Sequence, residues 1–320
     1  MRFRTLASLG LCSLLLQSAY AATSPKDLLA AGRVDETIQT LEQKRTGATP
    51  DAEAYNLLCR AYFMIDEWDR GIAACERARN LDPQNSLYHL WLGRIYGEKA
   101  DRAGFLSAAG LAKKVRVEFE RAVELDPRNV EARVDLAEFY FSAPGIVGGG
   151  KDKARAQAEA VAAFNPAVAH YISGRIAESE KNSAAAEREF RAAIEASHGT
   201  AHAWLHLAQF LAHANRLDEM QQALRSMESS PIDRPEALMD GASLLLRTGR
   251  DYAMAVRLLR RYLSNGLVEG GPAFKAHDLL GQLLEKQGDP RGAAAEEYRA
   301  ALALSHTYAR AREHLKQVDH

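Results

Sequence analysis

The chain of 320 residues concentrates its chemistry-bearing side chains in one short stretch, where His198, His202, His206 and His213 follow closely on one another. His202 and His206 are four apart, so on a helix their imidazoles share a face and offer two nitrogen ligands to zinc or copper. Between them lie Ala203, Trp204 and Leu205. A metalloprotease helix places a glutamate there as general base, so metal-assisted hydrolysis is not implied. A third ligand would have to come from His198 in the preceding turn or from another helix. The simpler reading is that these histidines line a groove as polar residues, or form a mildly pH-responsive patch.

The run Gly145, Ile146, Val147, Gly148, Gly149, Gly150, Lys151 reproduces the first seven positions of a phosphate-binding P-loop. The eighth is Asp152, where a hydroxyl should hold magnesium. A strand should lead into such a loop and a helix dipole should face the phosphates. Here a predicted helix ends near Phe141 and Pro144 follows it, so the run reads as a glycine-rich connector and no nucleotide is expected. No Ser, His, Asp set and no Cys, His pair has a supporting local motif. Neither a catalytic residue nor a cofactor is therefore expected.

The elements that must position these residues are constrained first by composition. Hydrophobic residues at 47% and charged residues at 26% exclude wholesale disorder, collagen and a polytopic membrane protein. A formal charge of -1 gives no electrostatic reason to expect nucleic acid or anionic lipid. At the start, Arg2 and Arg4 precede an apolar run from Leu6 to Leu16 and the small-residue triplet Ala19, Tyr20, Ala21. This is the pattern of a signal peptide cleaved after Ala21, its apolar run well short of the ~20 residues that a membrane span needs. Leu11 is too bulky to precede a lipidated Cys12. The mature chain is expected to be periplasmic or secreted, with no transmembrane segment.

Internal repetition sets the architecture. From Asp51 the chain reads Tyr55, Leu58, Cys59, Tyr62, then Gly71, Cys75, Ala78 and Pro83, and the next segment answers with His89, Leu92, Gly93 and Tyr96. Leu58 and Leu92 are 34 residues apart, as are Ser173 and Leu207. Further units show Phe119, Ala122 and Pro127, then Leu136, Ala137 and Tyr140, then Gly174, Ala186 and Phe190, then Trp204 and Ala208, and finally Gly281, Ala294 and Tyr298. The pattern resembles the tetratricopeptide repeat (TPR), in which two short amphipathic helices per unit bury their apolar faces only by stacking.

The resemblance implies an all-α TPR helix-turn-helix solenoid of about seven repeats with a C-terminal capping helix. Residues 1–21 are read as the leader, 22–50 as a truncated first unit, 51–305 as the array and 306–320 as the cap. Insertions are expected near 97–114, 142–150 and 264–272, with Phe105, Leu106 and Leu111 apolar enough to pack. In that register Cys59 and Cys75 fall on facing helices of one unit. Export makes a disulfide available to them, the alternative being two buried small residues.

The same resemblance implies a concave groove holding a peptide or partner protein. Helical spacing collects Asn56, Arg60, Phe63, Arg94, Glu138, Phe141, Tyr171, Arg175, His202 and Gln209 on the face that would line it, with Gln282 in a matching place. The carboxylate clamp of chaperone-binding TPR domains, built from lysines and asparagines, is not reproduced. Arg60, Arg94 and Arg175 beside aromatic rings would instead suit a partner bearing carboxylates. The competing reading pairs each arginine with an acidic residue of a neighbouring helix, where it only steadies the stack. The implied function is an exported, non-catalytic scaffold in cell-envelope assembly or transport. The alternative is a metal-binding or enzymatic protein using His198, His202 and His206.

Overall fold

One backbone conformation marks the repeat more plainly than any side chain. Gly32 and Asp66 adopt positive φ angles of 72° and 63°, and Lys181, Asn215 and Gly249 do the same at 59°, 56° and 68°. Within each set the spacing is the 34-residue period. The next amide returns to a carbonyl of the last helical turn in every case, as from Glu67 to Tyr62 at 3.0 Å and from Arg216 to Leu211 at 2.8 Å. This is the Schellman closure, which ends a helix by satisfying its orphan carbonyls and reverses the chain.

The computed structural model describes residues 24–45, 51–265, 267–288 and 291–318, among which there are seventeen α-helices and no strand. The expected leader, with Cys12 and the Ala21 cleavage point, lies outside the described residues. A short pair comes first, α1 (Pro25–Ala30) and α2 (Val34–Arg45). Seven hairpins follow. They are α3 (Ala52–Met64) with α4 (Trp68–Leu81), α5 (Ser86–Asp101) with α6 (Phe105–Leu125), and α7 (Val130–Ser142) with α8 (Lys151–Ala162). Next come α9 (Pro166–Ser179) with α10 (Ser183–Ala196), and α11 (Ala201–His213) with α12 (Leu217–Ser229). The last two are α13 (Glu236–Thr248) with α14 (Tyr252–Asn265), and α15 (Ala273–Lys286) with α16 (Arg291–Leu304). The final helix is α17 (Ala309–Val318). Asparagines start many of them: the side chains of Asn85, Asn129, Asn165 and Asn182 each accept a first-turn amide, worth ~1 kcal/mol per cap.

Within a hairpin the two helices touch where the first carries a small residue. A Cβ on Gly174 would stand 3.0 Å from the Phe190 ring, and one on Gly281 would stand 2.5 Å from that of Tyr298. Cys59 and Cys75, sixteen apart like Gly174 and Phe190, occupy the corresponding places in the α3–α4 hairpin and are joined by a disulfide with Cα atoms 5.1 Å apart. Between hairpins, a tyrosine hydroxyl donates to a glutamate of the preceding helix. Tyr62 reaches Glu42 at 3.0 Å, Tyr96 reaches Glu76 at 2.5 Å and Tyr140 reaches Glu120 at 2.8 Å, always across twenty residues.

One expectation is corrected and another is extended. Phe105 and Leu106 do not pack: they are 87% and 85% exposed at the turn of the α5–α6 hairpin, and only Leu111 joins the core. The end of the array is also not left to a cap alone. Ala311 of α17 is buried and Leu315 and Val318 pack against the last hairpins, yet Phe274, Ala301 and Tyr308 share one apolar core with Leu29 and Val34 at the other end of the chain. Gly32 abuts Ala273 so closely that a Cβ would lie 2.6 Å from its backbone nitrogen. His306 donates its amide to Asp35 at 2.6 Å and sets its Nδ1 2.5 Å from the same oxygen. The last hairpin therefore comes round to meet the first helices.

Lys181 tests the turn analysis, because it is exposed and holds a conformation that costs a residue with a Cβ about 1–2 kcal/mol. Lys181→Gly is expected to raise stability by about 0.5–1 kcal/mol after the glycine entropy loss, read as a higher denaturant midpoint.

Candidate functional site

The first helices of successive hairpins face inward, and between them lies a cavity of about 750 Å³. Arg94 of α5, Glu131 and Asp135 of α7, Tyr171 of α9, His202 and His206 of α11 and Asp240 of α13 all line it. Phe164, Val130 and Val134 supply apolar wall, and Asp233, Arg234 and Glu236 lie on and just after the loop entering α13.

The structure brings together only some of the residues expected in the groove. Arg94, Tyr171, His198, His202 and His206 line the cavity. Asn56, Arg60 and Phe63 stand beyond its edge on α3, Glu138, Phe141 and Arg175 form a separate cluster, and Gln209 sits half-buried on α11 without lining the cavity. Phe63 packs edge-on against Trp91 at 5.5 Å between ring centroids.

The three arginines are already engaged. Arg60 donates through Nε to Glu269 at 2.6 Å and forms a second bond to the same carboxylate, from the loop after α14. Arg94 donates to Asp135 at 2.6 Å and to Glu131 at 2.9 Å. Arg175 donates to Glu138 at 2.9 Å, and the Tyr171 hydroxyl donates to that same oxygen at 3.2 Å. Guanidiniums also lie over rings: Arg60 and Arg94 are 5.3 and 5.0 Å from the Trp91 centroid, and Arg175 is 5.4 Å from Phe141. The expected grip on an acidic partner is thus corrected. A half-buried guanidinium without a carboxylate would bear an uncompensated desolvation cost, and each has found its carboxylate within the chain.

The histidines are arranged as rings rather than as ligands. His206 stacks on Tyr171 with centroids 3.9 Å apart, and His202 lies 4.1 Å from His206. His213 leaves the group to meet Glu178 at 2.8 Å. Among the described residues no three His, Cys, Asp or Glu side chains converge as metal ligands. Burial pushes His202 down to about 4 and, with the nearby charges, His206 well below the ordinary imidazole range. Burial, aided by Glu236, pushes Asp240 up to about 6.

The glycine run is packed against its own chain. The Gly150 amide donates to the Tyr140 carbonyl at 2.7 Å and that of Gly149 to Pro144 at 3.3 Å, so these amides do not point at a phosphate. Lys151 is 4.0 Å from Glu180.

Sequence reasoning missed Trp91, Asp135, Asp240 and Glu269. Asp135 was legible, since Glu131 and Asp135 are four apart on a helix facing the arginine of the unit before. Glu269 was not, because its partner Arg60 is 209 residues away.

The titrations fix a sign. Neutral imidazoles are favoured in the folded chain, so between about pH 4 and 6.5 the unfolded chain binds more protons at His202 and His206, and acid removes stability. Asp240 acts oppositely, its contribution fading as pH rises through about 6. Two imidazoles outweigh one carboxyl. The melting temperature of His202→Asn/His206→Asn is therefore expected to fall less than that of the unsubstituted protein when the pH is lowered from about 6.5 to about 4.5.

Residues 28–95 match one family model of tetratricopeptide repeats and residues 239–309 match another. No curated protein matches the chain. Among solved structures, a thermophilic TPR protein from Thermus thermophilus is similar over 59% of this chain and 97% of its own, at 17% identity and a TM-score of 0.49. A tetratricopeptide repeat protein from Parabacteroides merdae is similar over 84% of this chain and 99% of its own, at 17% identity and a TM-score of 0.40. The matched spans lie at the two ends of a series of helix hairpins, so the chain carries tetratricopeptide repeats within an all-α helical-repeat fold.

Proposed function

We propose that the protein is an exported scaffold whose inner cavity holds a positively charged segment of a peptide or partner protein, in cell-envelope assembly or transport. TPR proteins are generally non-catalytic and bind proteins or peptides, which supports the reading of an interaction scaffold. The charge of the ligand rests on one observation. Two arginines, Arg94 and Arg234, face five carboxylates, Glu131, Asp135, Asp233, Glu236 and Asp240, across the cavity. Arg94 takes Asp135 and Glu131, and Arg234 takes Glu236 at 2.9 Å. Among the described residues Asp240 keeps no ion pair, and the Tyr171–His206 stack offers a flat surface across the same space. A lysine, an arginine or a free amine matches that arrangement, whereas a carboxylate meets repulsion.

Export is supported by the expected leader and by the Cys59–Cys75 bond, which persists in an oxidising compartment. No observation favours the metal or enzyme reading of His198, His202 and His206, two of which prefer to be neutral ring surfaces.

Fluorescence anisotropy with lysine-rich, neutral and glutamate-rich peptides tests the cavity. The lysine-rich peptide is expected to bind most tightly, and Asp240→Lys to weaken it by at least about tenfold with the melting temperature retained. Preference for the acidic peptide would overturn the assignment. For export, the mass of protein recovered from the periplasm or medium is expected to start at Ala22, with Cys59 and Cys75 resisting alkylation until reduced. A retained leader, or two thiols alkylated without reductant, would contradict it.

A further inference from the structure

The α5–α6 hairpin is longer than its neighbours. The helix α6 has 21 residues, about 31 Å at 1.5 Å per residue, where α4 and α10 have 14 each. Its first buried residue is Val115, so the N-terminal half stands clear of the stack apart from Leu111. Added Cβ atoms at Gly97, Gly104 and Gly110 would meet nothing within 4 Å. This is an arm, and its end carries Phe105 and Leu106 at 87% and 85% exposure, among the described residues the largest apolar side chains displayed so fully apart from Ile146.

Charge on the α6 side of the arm is of one sign as far as Val117. From Arg102 to Val117 the chain contains Arg102, Lys113, Lys114 and Arg116 and no acidic residue. Arg102 is tied to Glu98 at 2.7 Å and Lys114 lies over the Tyr96 ring, while Lys113 is exposed. Asp101 stands at the base of the turn. The net charge of -1 for the whole chain conceals this local cationic run.

We propose that the tip of the α5–α6 hairpin docks on an anionic lipid surface, with Phe105 and Leu106 entering the interface and the lysines behind them meeting the headgroups. The geometry suits that depth. Lys113 is eight residues behind Phe105, about 12 Å along the helix, comparable with the ~5–10 Å that interfacial apolar residues penetrate. Long lysine stems reach back to phosphate level from there. Charge also selects against the other obvious occupant. A second copy would bring like-charged arms together, whereas anionic lipid complements them. No helix among the described residues is long and apolar enough to cross a membrane, so the contact is superficial. The cavity lies on the inner wall and takes no part, so the proposal is independent of the cavity's ligand.

The test is co-sedimentation of the full mature chain with vesicles of phosphatidylglycerol and phosphatidylethanolamine, and with vesicles of phosphatidylcholine alone. Binding is expected to the anionic vesicles, to weaken with salt, and to fall at least about tenfold in Phe105→Ser/Leu106→Ser. Lys113→Glu/Lys114→Glu should weaken anionic binding while leaving any residual binding to phosphatidylcholine unchanged. These side chains lie outside the core, so unchanged helical circular dichroism and melting temperature verify that the variants fold. Binding to neither vesicle, equal binding to both, or binding indifferent to the tip substitutions would each overturn the proposal. So would light scattering that shows a dimer converted to monomer by Phe105→Ser/Leu106→Ser.

Discussion

Three of the hairpins depend on a large side chain from the second helix laid against a place where the first helix has almost none. Phe119 covers Gly93, Phe190 covers Gly174 and Tyr298 covers Gly281. The missing Cβ lets the two backbones approach, the ring fills the space left between them, and a methyl group at those positions would have to push an aromatic aside. In the α3–α4 hairpin the same close approach places two sulfurs together, so a covalent bond stands where those three hairpins use a ring. The contact recurs at one place in these units, and first helices of successive hairpins line the cavity.

Closure of that curve is a separate matter. The apolar ends of a repeat array are normally shielded by polar caps, but here the early and late helices shield one another. Leu29 and Val34 share a core with Phe274 and Tyr308, and Gly32 is small enough to admit Ala273. The loop after α14 then extends Glu269 to Arg60, which removes one cation from the groove. Arg94 and Arg175 are removed by the adjoining unit in the same way. The cavity is left with five carboxylates against two arginines, Arg94 and Arg234.

Charge on the outside is distributed by the same rules of packing. Residues inserted in a repeat have no partner unit to pack on, so the extra turns of α5 and α6 project. Apolar residues within them are exposed together with the lysines that follow. A chain almost neutral as a whole therefore has an acidic interior and a cationic, apolar-tipped arm.

The helices, their turns and the pairing of Gly174 with Phe190 were legible in the sequence, since they follow from a 34-residue period and from steric rules acting within one unit. So was the position of Cys59 opposite Cys75, although the choice between a bond and two buried small residues was left to the structure, which joins them. The sequence by itself also assigned Arg60, Arg94 and Arg175 to an inner face, and of these Arg94 lines the cavity. What those guanidiniums touch was decided by the tertiary structure, because helical periodicity assigns a face but says nothing of which carboxylate approaches it from another unit. Glu269 meets Arg60 only because the array curves far enough for its ends to meet, and curvature accumulates from small rotations at every interface. Phe105 and Leu106 show the same limit. Their hydrophobicity was evident in the sequence, but whether a neighbour would be there to bury them depended on how far the inserted turns reached beyond the stack.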